Sequence, residues 1–111
     1  MRKKDNSYIL VYVTTDSEIE AIKLTKLVLN NKLAACSNII NGSKSFYWWN
    51  NEINESKECI IFFKTNLKNE EKLIEKVIKN HSYDNPCVIS IPILKGNETF
   101  LSWIDKETKL N

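Results

Sequence analysis

One histidine, one arginine, two glycines and two prolines in 111 residues leave little material for most enzyme templates. With glycine only at positions 42 and 96, no glycine-rich loop is available to cradle a phosphate or a dinucleotide. Ser-His-Asp, His-Glu-x-x-His and Cys-x-x-Cys signatures are missing as well, so the chain is not expected to be an enzyme. The lone arginine, Arg2, sits in the first residues, where it cannot give a small hydrolase its bidentate grip on phosphate. Three cysteines, at 36, 59 and 87, are odd in number and widely spaced. That pattern excludes a disulfide framework and a structural zinc site, and it reads as a reduced, cytoplasmic protein. No apolar run approaches the roughly 20 residues of a membrane span. The opening Met-Arg-Lys-Lys-Asp-Asn-Ser lacks the apolar stretch of a secretory signal. A net charge of +2 with scattered lysines points to neither a nucleic-acid nor a membrane partner. The central strand also lacks the Lys/Arg-Gly-aromatic signature of an RNA-binding sheet.

What is present is a single domain's worth of alternating strands and helices. Residues 1–7 read as a disordered tail and 8–111 as one domain. Tyr8 to Thr14 is β-branched and aromatic, a strand. Thr15, Asp16 and Ser17 are candidate N-caps for a helix in which Ala21, Leu24, Leu27 and Val28 recur at helical spacing to about Asn31. Leu33 to Ile40 reads as a second strand ending at Asn41-Gly42, and Lys44 to Trp49 as a further extended segment. Asn50-Asn51 suits a tight hairpin turn, after which a return strand runs from Ile53 to Thr65. A second helix, capped by Asn66 or Asn69, lasts to about Asn80-His81 and stops before Asn85-Pro86. Cys87 to Leu94 forms the last strand, where Pro92 argues for an edge or a bulge. Glu98 to Lys106 closes the chain as a short helix. The order β-α-β-β-α-β with a C-terminal helix predicts an α+β, ferredoxin-like split β-α-β sandwich.

Within the return strand, Cys59 to Phe63 is apolar without a break, where a half-buried strand would alternate. Both faces therefore call for cover, and two long helices can supply only one. Self-association follows as the first functional expectation, with Ile61 and Phe63 at the contact together with Phe46, Trp48 and Trp49 of the hairpin. His81 is a candidate helix C-cap, proton carrier or metal ligand. As a ligand it needs partners, drawn from Cys36, Cys59, Cys87, Glu58 and Asp84. Cys87 is the thiol nearest to it in sequence. Lys64, at a strand end beside a helix start, is a candidate anion contact.

Five segments in register extend this reading: 33–40 (Leu-Ala-Ala-Cys-Ser-Asn-Ile-Ile), 45–49 (Ser-Phe-Tyr-Trp-Trp), 58–65, 81–86 (His-Ser-Tyr-Asp-Asn-Pro) and 100–103 (Phe-Leu-Ser-Trp). Together they resemble the CutA family of divalent-cation tolerance proteins over nearly the whole chain. The resemblance implies a tight homotrimer without an established reaction, linked to copper or other divalent cations. Its architecture is similar to that of nitrogen-regulatory P-II proteins, which implies ligand binding in clefts between subunits. Tyr47, Glu58, Lys64, His81 and Tyr83 are the residues expected there. A metal would be held by His81, with Cys87 and Cys36 as thiol donors. Against the family pattern, Ser82 and Asp84 replace proline and glutamate, and Cys87 replaces an acidic residue. Val13 and Asn80 stand where members with a defined copper site have cysteine and histidine. A scaffolding trimer without a physiological metal is the alternative.

Overall fold

The computed structural model describes residues 7–110. The elements are β1 (Tyr8–Thr15), α1 (Glu18–Asn30), β2 (Cys36–Trp49), β3 (Glu52–Asn66), α2 (Glu70–Asn80), β4 (Val88–Ile93) and α3 (Glu98–Glu107). A 3-10 turn, Leu67–Asn69, leads into α2. The four strands form one antiparallel sheet in the order β2-β3-β1-β4, the expected split β-α-β arrangement. The tail expected over residues 1–7 lies outside the described residues except for Ser7. The Ser7 carbonyl accepts the Leu67 N–H at 2.7 Å.

Local chemistry explains the boundaries. Ser17 is the residue that caps α1: its Oγ accepts the Glu20 N–H at 3.1 Å. Asn50 and Asn51 both take left-handed φ angles, 53° and 62°, closing the β2–β3 hairpin in two residues. Pro92 lies on β4, which is an edge strand, so its missing N–H costs no ladder bond on the open side. One expectation changes. The segments read as two pieces, 33–40 and 44–49, are one strand from Cys36, bent by a bulge. There Asn41 and Gly42 together oppose Cys59, and Gly42 adopts φ 82° while its N–H donates to Asn41 Oδ1 at 2.9 Å. Leu33 to Ala35 are a connection instead of a strand, because Lys32 turns the chain at φ 58°.

The core lies between the sheet and the two long helices. Ile9, Val11 and Val13 of β1 and Cys59, Ile61 and Phe63 of β3 meet Ala21, Leu24 and Val28 of α1 and Leu73 and Val77 of α2. This corrects the expected subunit contact. Ile61 and Phe63 are fully buried inside the chain and offer nothing to a neighbour. Ile60 and Phe62 occupy the other side of the strand instead, with Leu10, Ile40, Ile89 and Ile91 on the same face by register. Helix α3 covers one end of that face. It is pinned by Tyr8 Oη donating to Asp105 at 2.5 Å and Asn66 Nδ2 donating to Asp105 Oδ1 at 2.8 Å, with Ile104 buried beneath. The rest stays open, with Ile40 and Ile89 each half exposed.

Candidate functional site

Three segments meet at the far end of the sheet from α3: the end of β1, the part of β3 next to the β2 bulge and the turn that follows α2. His81 is the C-cap of α2, its backbone extended and its N–H donating to the Ile78 carbonyl. Its side chain is entirely buried. The ring reaches back to β1, where Nε2 lies 2.8 Å from the Thr14 carbonyl oxygen, while Nδ1 lies 3.1 Å from the Tyr83 backbone nitrogen. A carbonyl can only accept and an amide N–H can only donate, so Nε2 carries the hydrogen and Nδ1 offers the lone pair. The ring also packs on Tyr83, centroids 4.8 Å apart.

Tyr83 in turn reaches β3, its hydroxyl donating to Glu58 Oε2 at 2.7 Å. Burial first, then the carboxylate it donates to, hold the phenol well above its ordinary range. On the same patch the Cys87 thiol is pushed up, mainly by burial and further by the Glu58 charge. Tyr12 is raised by burial and then by Cys87 and Glu58. Glu20 of α1 completes the turn: its carboxylate accepts the Ser82 N–H at 2.8 Å and the Ser82 hydroxyl at 2.9 Å. Burial works against the Glu20 charge, but the Ser82 N–H and hydroxyl and then the Asp16 N–H hold its carboxyl below the usual range.

The expected residues divide into groups. Glu58, His81 and Tyr83 are together, with Cys87 beside Glu58. Lys64 lies six residues farther along β3, about 20 Å away at strand rise, and Cys36 is paired opposite Lys64. Tyr47 is paired with Asn54, four residues the other way and about 13 Å from Glu58. Within one chain, therefore, Tyr47, Glu58 and Lys64 do not converge, and Cys36 does not join His81 and Cys87. Cys59 is a core thiol, raised chiefly by burial. Phe46, Trp48 and Trp49 stand exposed on the hairpin, Trp48 at 72%. Lys64 holds its ammonium 5.5 Å from the Phe100 ring centroid and makes no ion pair among the described residues.

The donor set does not fit a divalent cation well. Among the described residues no three His, Cys, Asp or Glu groups stand where they could share a metal ion. The only lone pair of His81 is used by Tyr83, and Cys87 keeps its proton more firmly than a free thiol does. Reading the sequence alone missed Thr14, Glu20 and Ser82. The Ser-x-x-Glu spacing at 17–20 marks Glu20 as a first-turn residue. Nothing local signals that its carboxylate reaches a turn 62 residues later.

Comparison with known proteins follows the same lines. Residues 9–107 match the family described as CutA1 divalent ion tolerance protein. The rice (Oryza sativa subsp. japonica) "Protein CutA 1, chloroplastic" is 38% identical over 101 residues, which are 91% of this chain and 57% of that protein. The chain thus spans little more than half of the rice relative. The crystal structure of divalent ion tolerance protein CutA1 from Ehrlichia chaffeensis superposes with a TM-score of 0.91 at 33% identity, covering 95% of this chain and 98% of that one. The periplasmic divalent cation tolerance protein CutA from Archaeoglobus fulgidus gives 0.89 at 37%, covering 92% and 99%. No helix among the described residues is long and apolar enough to cross a membrane.

Proposed function

Because the chain belongs to the CutA1 divalent ion tolerance family, we propose that it is a non-catalytic divalent-cation tolerance protein that works as a homotrimer and takes ligands in the clefts between subunits. The carrying observation is the half-covered sheet. Its open face holds Leu10, Ile40, Ile60, Phe62, Ile89 and Ile91, and it continues into a hairpin bearing four exposed aromatic rings. Exposed apolar surface of that extent is a contact surface, and Trp and Tyr are favoured anchors in such contacts. Closed symmetry buries it without leaving a free edge; the number three comes from the family resemblance. Assembly would also bring Tyr47 and Lys64 of different copies near the Glu58–Tyr83 pair, making one cleft out of groups that a single chain holds apart. Lys64, which has no acid partner among the described residues, would supply the cationic contact for an anionic ligand.

On the cation side, Cys87 and Glu58 are the donors we assign, with Cys36 as a thiol brought in from another copy. The imidazole of His81 is engaged twice with backbone groups, which also leaves it no role as a general base. The three unpaired cysteines favour a reducing compartment, and we place the protein in the cytoplasm. A scaffolding trimer with no physiological metal is a second reading, favoured by the want of any three-donor cluster among the described residues.

Native mass spectrometry of the reduced protein, first stripped with chelator and then reloaded with zinc, tests both halves. A three-copy mass that gains cation, and loses it in Cys87→Ser and Glu58→Gln, is expected. A three-copy mass that never gains cation selects the scaffold, and a single-chain mass overturns the proposal.

A further inference from the structure

We propose that His81 is a latch and not a cation ligand: its imidazole ties the turn after α2 to the end of β1 and thereby aims Tyr83 at Glu58. The inference bears only on the cation half of the function proposed above, and it stands whether the protein is a trimer or not.

The ring's two nitrogens have two partners of opposite kind, and both are backbone groups that cannot change role. Nε2–H donates to the Thr14 carbonyl at 2.8 Å, and the Nδ1 lone pair accepts the Tyr83 N–H at 3.1 Å. A metal bound through Nδ1 would leave the Tyr83 amide without its partner. A metal bound through Nε2 would require that nitrogen to lose its proton and turn away from a carbonyl oxygen. Either route breaks a hydrogen bond of a fully buried side chain, where an unmade bond is costly. Among the described residues no three His, Cys, Asp or Glu groups are placed to hold a metal together and so compensate.

What the latch secures is a chain across three elements. The turn is held on β1 by His81, on α1 by the two Ser82 bonds to Glu20, and on β3 by Tyr83 Oη to Glu58 Oε2. Glu20 Oε2 lies 3.6 Å from Nδ1, a contact that would become an ion pair only with the ring protonated at that nitrogen. With the ring packed on Tyr83, moving the imidazole moves the phenol. The departures of this chain from the family pattern agree: Ser82 supplies the N–H and hydroxyl that Glu20 accepts, where proline would supply neither.

The test uses the intact reduced protein with nitrogen-15-labelled histidine and zinc sulfate as the probe. Expected is an Nε2-protonated imidazole whose nitrogen resonances stay unmoved by a tenfold excess of zinc. An Nδ1-protonated ring, or a saturable zinc-dependent shift of either nitrogen, overturns the proposal. Amide exchange supplies the second reading. In His81→Ala the Tyr83 amide is expected to exchange at least about tenfold faster while Val11 and Phe63 keep their protection. Unchanged exchange at Tyr83 would also overturn it. Should that variant not fold, the wild-type resonances decide alone.

Discussion

Replacing Trp48 by alanine puts a number on the hairpin's contribution to assembly. Trp48 is 72% exposed in the single chain, on a strand segment that no other element of the fold covers. A large aromatic side chain has about 250 Å² of surface to bury, so about 180 Å² is on offer. At about 25 cal/mol per Å², complete cover would contribute about 4 kcal/mol for each copy. Half of that, about 2 kcal/mol, is a realistic share for a ring at a subunit contact. Three copies in a closed trimer lose about 6 kcal/mol, or about 10⁴-fold in the monomer–trimer equilibrium. Because that constant scales as concentration squared, the dissociation midpoint should rise about 100-fold. Sedimentation velocity over descending concentrations reads it directly, with Trp48→Phe as the control that keeps most of the apolar area. A midpoint for Trp48→Ala within about threefold of wild type would refute the assignment of this ring to the contact.

Other expectations concern the chain itself. Tyr83→Phe removes a hydroxyl donated to a half-buried carboxylate and should cost about 1–2 kcal/mol in urea unfolding; no loss would mean the bond contributes nothing net. Gly42→Val forces a β-branched residue to φ 82° in open space, so the penalty is purely conformational. It should be about 1–2 kcal/mol and lower the thermal midpoint by several degrees, while Gly42→Asn should cost less. Tyr8 is pushed up to about 12, first by its bond to Asp105, then by burial and the Asp105 charge. The neutral phenol is the stabilised form, so its contribution is full below pH 10 and is lost as pH rises from 10 to about 12. After allowance for solvent screening it amounts to about 1 kcal/mol. Tyr8→Phe should flatten the alkaline limb of the stability curve, and an unchanged limb would remove Tyr8 from the explanation.

Much of the fold was legible because local chemistry and tertiary placement agree. A cap among Thr15, Asp16 and Ser17, a two-residue turn at Asn50-Asn51 and an edge or bulge at Pro92 each follow from a residue's own backbone preferences, and the structure selects Ser17 and the edge. The failures have a common cause. Where both faces of β3 are apolar, a period of two cannot say which set points inward, so the sequence alone puts Ile61 and Phe63 on the outer face that Ile60 and Phe62 in fact occupy. Asn41-Gly42 reads as a strand end, and only pairing with Cys59 shows that the strand continues through a bulge. At the candidate site the single histidine was conspicuous, yet its hydrogen-bond partners are backbone groups at Thr14 and Tyr83, which carry no side-chain signature. The family resemblance pointed to the residues; their geometry decides what each has free to offer.

The claim on which the functional proposal rests is that this sheet face is buried by copies of the same chain. Sedimentation equilibrium of the native protein, diluted toward micromolar concentrations in reducing buffer, tests it most directly. A species of three 12.9 kDa chains, about 39 kDa, is expected to persist on dilution. A stable single chain of 12.9 kDa throughout that range would contradict it.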